Sequence, residues 1–188
     1  MTEVPQPRAA NHKNQRVLRA AAVQFESAAG DKGANFRKVE SFVKSAAAQG
    51  VELIIFPECC LTGYWFLRNL SVVQLAALAE AIPGGPSARR LAELARQNRI
   101  AIGAGLVEAG DAGVYHNSYV VALPDGTVHC HRKLQAFEHG AIRSGTEFTV
   151  FDLPQGLRAA VLICYDCNLI ENVRISALRG ADVLIAPH

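Results

Sequence analysis

The chain has 188 residues, half of them hydrophobic, and 19 Lys and Arg against 17 Asp and Glu give a net charge of +2. A chain of this size and apolar content buries one sizeable core, and a near balance of charge without a basic block excludes nucleic acid as an implied partner. The apolar segments break off well short of a membrane helix and the first residues lack the apolar stretch of a signal peptide, so a cytoplasmic protein without membrane contact is expected.

Residues 1–15 are polar, contain two prolines and read as a flexible leader, with a single domain over 16–188. Residues 18–25 (LRAAAVQF) read as a first strand. A helix over about 32–49 follows, with Phe36, Val39, Val43 and Ala46 on one face and Gly50 ending it. Residues 51–56 (VELIIF) form a second buried strand that delivers Pro57 and Glu58 into a loop. Two more helices are expected, one over about 71–81 and one after PGGP at 83–86, with Ser87 as its N-cap and Leu91, Leu94 and Ala95 as its apolar stripe. The period then changes. Segments 100–107, 115–123 and 127–132 read as antiparallel strands turning at 111–113 and 124–126. Segments 148–153 and 157–163 pair around Pro154-Gln155-Gly156. A helix over 171–179, where Glu171 and Arg174 are spaced for a surface ion pair, leads to a last strand at 182–186. Helices and strands alternating at both ends of a meander give the class α/β with a mixed sheet.

Glu58, Lys133 and Cys164 each lie just beyond an apolar strand, where sheet proteins place their chemistry. Cys164 occupies a strand-to-helix turn, a setting that presents nucleophiles and aims backbone N–H groups at a developing oxyanion. The three types form a workable set: a thiolate whose pKa a nearby cation lowers, a carboxylate that takes the thiol proton and later one from water, and an ammonium that stabilises the oxyanion. Taken singly, each has a plainer explanation: an inert core thiol, a loop cap, a solvated lysine beside Arg132. Cys164-Tyr165-Asp166-Cys167 also spells CxxC. With His129, Cys130 and His131 it leaves open a zinc-binding module or a redox dithiol. The odd count of five cysteines, with Cys59 and Cys60 adjacent, favours reduced thiols over a disulfide framework.

Three segments, FPECCLTGY around Glu58, HRKLQAF around Lys133 and ICYDCNLIENVR around Cys164, stand in this order, flanked by AAVQF, HNSYVVALPDG and GADVLIAP. Together they resemble the nitrilase superfamily of carbon–nitrogen hydrolases. The resemblance covers nearly everything after the leader, and three ordered motifs are far more specific than one. It implies a four-layer α-β-β-α sandwich and hydrolysis of a non-peptide C–N bond through a cysteine thioester. Amide or carbamoyl substrates are expected ahead of nitriles. By the same resemblance Glu58 is the general base, Lys133 the oxyanion stabiliser, Cys164 the nucleophile and the Tyr165 N–H a second oxyanion donor. Glu138 is the candidate second glutamate; Glu147 shares its loop. No cofactor or metal is implied. The partner is a small-molecule substrate, and a homo-oligomer is expected at full length. Two features depart from the pattern. The segment CNLIENVR lacks the phenylalanine and proline that many relatives carry before the glutamate. Relatives also continue past the strand matching VLIAPH, so an amino-terminal fragment with an unfinished second sheet, an exposed edge and a partly uncovered core is expected. A fold retained without catalysis, as a partner-binding domain, is the remaining alternative.

Overall fold

The computed structural model describes residues 16–188, and the leader expected over 1–15 lies outside them. Helix α1 (Lys32–Ala48) begins where Asp31 accepts the Ala34 N–H and stops before Gly50, whose φ of +71° suits glycine. Its Phe36, Val39, Val43 and Ala46 are buried, as their spacing predicts. Helix α2 (Val72–Leu78) starts in a capping box between Ser71 and Gln74 and ends three residues before the expected boundary.

The N-cap of α3 (Pro86–Asn98) is Gly85, not the expected Ser87. Proline at the first helical position already has the right φ and has no N–H to satisfy, which sets the start two residues earlier than a serine cap at 87 would. Ser87 instead lies buried in the first turn, its N–H and hydroxyl donating to the Glu80 carboxylate at 2.7 and 3.1 Å.

Strands β1 (Ala20–Ala22), β2 (Leu53–Ile55) and β3 (Ala101–Ala109) pair in parallel, and β4 (Tyr115–Ala122) and β5 (Val128–Arg132) extend the sheet antiparallel in the order β1-β2-β3-β4-β5. A smaller sheet has the order β6-β7-β8, with β6 (Val150–Asp152) antiparallel to β7 (Arg158–Val161) and β8 (Val183–Ile185) parallel to it. Side-chain alternation divides the large sheet between two cores. Ile54, Ile102, Ala104, Leu106, Val120 and Ala122 pack with the apolar faces of α1 and α3. Leu53, Ala101, Tyr119 and Val121 face Phe151, Ala159, Val161 and Ile185 of the small sheet. With that inner face filled, the crossover helix α4 (Ile170–Leu178) between β7 and β8 takes the outer face. The layers are therefore α-β-β-α, as the resemblance implied.

Helix α4 does not follow Cys164 directly: a 3₁₀ turn, Cys164–Asn168, intervenes and the helix begins at Ile170. Glu171 and Arg174 do not pair among the described residues. Leu178 and Ile170 of α4 are 77% and 71% exposed, and β8 has one strand neighbour among the described residues. No helix among these residues is long and apolar enough to cross a membrane.

Candidate active site

The three expected residues converge from three strand ends. Glu58 follows β2 in a turn that lies tight against β3. A Cβ on Gly105 would stand 2.3 Å from the Cys59 nitrogen, so only glycine lets the turn approach this closely. Lys133 directly follows β5. Strand alternation sends its neighbour Arg132 to the opposite side, where it pairs with buried Glu108 at 2.6 Å, while Lys133 is 0% exposed. The solvated-lysine reading is thus corrected. Cys164 follows β7 with φ +46°, and Cys59 beside Glu58 has φ +48°. Both lie in the left-handed region, which non-glycine residues enter at a cost of roughly 1–3 kcal/mol and which recurs at functional sites.

Lys133 Nζ donates to Glu58 Oε1 at 2.7 Å and also to Glu138 Oε1. Glu138 Oε2 accepts the Phe137 N–H at 3.1 Å, and the Phe137 ring lies 4.6 Å from the ammonium. The structure therefore brings Glu138 to the site. Glu147 lies elsewhere, lining a second cavity of about 340 Å³ with Glu108 and Arg132. Asn117, a buried residue of β4 that the sequence did not single out, donates its Nδ2–H to Glu58 Oε1 at 2.6 Å and accepts from the Cys59 thiol at 3.3 Å. Its backbone carbonyl takes the Lys133 N–H at 2.8 Å. Its place in the polar stretch His116-Asn117-Ser118 on a strand that is buried throughout was the signal for it.

Cys164 opens into a cleft of about 1000 Å³ that also contains Glu58 and is walled by Tyr64, Trp65, Phe66 and Phe137. Glu26 and Arg68 stand in the same cleft. The Cys164 N–H is held by the Pro187 carbonyl at 2.8 Å.

Burial raises the Glu58 carboxyl above its usual range; the hydrogen bond and charge of Lys133 and the bond from Asn117 offset this only in part. Burial opposes the charge on Lys133, but its bonds to Glu138 and Glu58 prevail and hold its pKa above that of an ordinary lysine. Burial and then the Glu58 charge push the Cys164 thiol up, against the pull of Lys133. The expected lowering by the neighbouring cation is present, but burial and the Glu58 charge together outweigh it and leave the thiol above its usual range.

The metal alternative fails on strand geometry. His129 and His131 share one face of β5 while Cys130 lies on the other, near Glu108. His129 stacks on Phe151 with centroids 4.2 Å apart, and His131 is bound to Thr149 Oγ1 at 3.2 Å. Among the described residues no three His, Cys, Asp or Glu side chains are grouped to hold a metal ion. All five cysteines are free.

The family model described as carbon–nitrogen hydrolase matches residues 19–188. The chain belongs to this family. It is 34% identical over 174 residues to a nitrilase of Pyrococcus abyssi, covering 91% of this chain and 64% of the relative. It is 31% identical over 182 residues to an omega-amidase of Homo sapiens, covering 90% and 63%. Among solved structures it superposes with a TM-score of 0.75 and 25% identity on a mutant amidase from Nesterenkonia sp. AN1, over 90% of this chain and 64% of that one. That structure shows covalent addition of the acetamide moiety of fluoroacetamide at the active-site cysteine. This carbon–nitrogen hydrolase chain thus spans somewhat less than two thirds of the relatives' length.

Asp166 is the second residue of this chain's site that sequence reading passed over. It is fully buried, with Oδ1 accepting the Gln135 N–H at 2.8 Å and Oδ2 accepting the Ile163 N–H at 3.0 Å. Burial works against its charge, but the bond with His131 and the two backbone donors outweigh it and hold the carboxyl below its usual range.

Proposed function

We propose that the protein hydrolyses a non-peptide C–N bond in a small amide or carbamoyl compound through a thioester on Cys164. The observation that carries this reading is the buried Glu58–Lys133 ion pair beside a half-exposed thiol in one aromatic-walled cleft. Glu58 takes the thiol proton as the sulfur attacks the substrate carbon. This fits a thiol and a carboxyl that both lie above their usual pKa ranges. The oxyanion is met by the Lys133 ammonium and the Tyr165 N–H, the type of preorganised donors that contribute most to acyl transfer. Glu58 then returns its proton to the departing nitrogen, and ammonia or an amine leaves. A water that gives its proton to Glu58 attacks the thioester, and transfer of that proton to sulfur frees the acid and restores Cys164. Glu138 holds Lys133 in place and shares its charge. The sequence requires only these side chains. Covalent addition at the cysteine of the amidase from Nesterenkonia supports amides as the substrate class.

The test is ammonia release from short aliphatic amides by the whole protein and its Cys164→Ala variant. Release at background level from Cys164→Ala, with Cys167→Ala still active, is the expected result. Undiminished release from Cys164→Ala sinks the mechanism.

A further inference from the structure

The three residues of the proposed reaction are tied to one another along three lines. Glu58 and Lys133 meet directly at 2.7 Å. Glu58 and Cys164 are joined through the backbone: the Glu58 N–H donates to the His188 carbonyl at 3.2 Å and the Cys164 N–H to the adjoining Pro187 carbonyl at 2.8 Å. The third line, between Lys133 and Cys164, runs through one side chain. Asp166 accepts the Ile163 N–H at 3.0 Å, immediately before Cys164. It also accepts the Gln135 N–H at 2.8 Å and faces His131 Nε2 at 3.4 Å, two residues on either side of Lys133.

From this we infer that Asp166 is a positioning residue, its buried carboxylate setting the distance between the nucleophile and the oxyanion-stabilising lysine. The inference rests on the hydrolase reading above. Lys133 ends a strand of the large sheet and Cys164 a strand of the small one, and the sheets meet through apolar side chains. Apolar burial is non-directional, so it holds two sheets together without fixing how far one slides on the other. Hydrogen bonds are directional and supply that constraint. The Ile163 and Gln135 N–H groups both point a donor at Asp166, so a carboxylate, which only accepts, is the side chain that satisfies them. An asparagine would turn its own N–H groups toward one of these donors. His131 completes the arrangement from the lysine strand, itself steadied by Thr149.

In the whole protein, Asp166→Asn is expected to lower kcat for amide hydrolysis by about tenfold or more with KM changed less than about threefold, because a misplacement of roughly 1 Å costs on the order of a hundredfold. Alkylation of Cys164 by iodoacetamide needs the thiol proton removed but no oxyanion donor. Its rate is expected to stay within about twofold of the parent, since the backbone tie between Glu58 and Cys164 is untouched. A purely structural role would lower turnover and alkylation together, in step with the folded fraction measured by thermal unfolding. His131→Asn, which leaves both backbone donors in place, is expected to give a smaller loss of the same kind, and it decides the matter if Asp166→Asn does not fold. Unchanged turnover, a parallel fall of turnover and alkylation, or failure of both variants to fold overturns the assignment. Cys164→Ala separates the two levels. Turnover persisting in that variant defeats the hydrolase reading itself, whereas a silent Cys164→Ala beside a fully active Asp166→Asn defeats only the positioning role.

Discussion

Lys133→Met is expected to lower kcat by about a thousandfold while keeping the side-chain volume that fills the site, since a single oxyanion donor is worth on the order of 10²–10³ in rate. The loss has two sources. Among the described residues Nζ is the only full positive charge within bonding reach of Glu58, and it balances two carboxylates, Glu58 and Glu138, both about 5% exposed. Removing it leaves like charges facing each other in a poorly solvated place. One of them then takes a proton, and a protonated Glu58 cannot accept another from the thiol. Breaking a buried pair by removing one partner also costs roughly 3–5 kcal/mol of stability. Ammonia release and urea unfolding on the same preparation separate these effects. A variant that unfolds at the parental urea concentration and retains parental kcat contradicts the place given to Lys133.

Glu58→Gln is expected to be nearly inactive with its fold intact, because the amide keeps the shape of the carboxyl and can still pair with Lys133 and Asn117. In the proposed mechanism it loses the base. There the working form of the parent has Glu58 ionised, so activity should rise with pH through the raised Glu58 pKa, at a midpoint above the 4.5 of an ordinary glutamate. For stability the sign is opposite. A carboxyl whose folded pKa exceeds its unfolded value binds more protons folded than unfolded, so its contribution declines as pH rises through that window. In Glu58→Gln both dependences should vanish together. The alkaline side is set differently: the raised Lys133 pKa keeps its ammonium charged beyond the range of a free lysine. A kcat/KM profile of Glu58→Gln with the parental acid limb would show that another group is the base.

The α/β class with a mixed sheet was legible from the order of helix-like and strand-like segments, whereas the four layers were implied only by the family resemblance, since β3 and β4 are apolar on both faces and do not show which element covers each. Glu58, Lys133 and Cys164 were legible because each is a polar residue where an apolar strand stops. Their supports were harder to read. Asn117 and Asp166 act by accepting and donating hydrogen bonds across strands distant in sequence, and their types carry no mark of which partner they meet. The start of α3 was misjudged because a serine cap and a proline at the first helical position compete, and the proline geometry prevailed. The net rise of the thiol pKa was not legible because burial and Glu58, which outweigh the lowering by Lys133, follow from the packing of the site.

The central claim is that the acyl group passes through Cys164. Acid-quenching the whole protein within one turnover of an amide substrate, followed by peptide mass mapping, tests it most directly. The expected result is the mass of the acyl group on Cys164, with Cys167 unmodified, and its diversion to a hydroxamate when hydroxylamine is present. An acyl group on another residue, or turnover with Cys164 unmodified and no hydroxamate formed, contradicts the account.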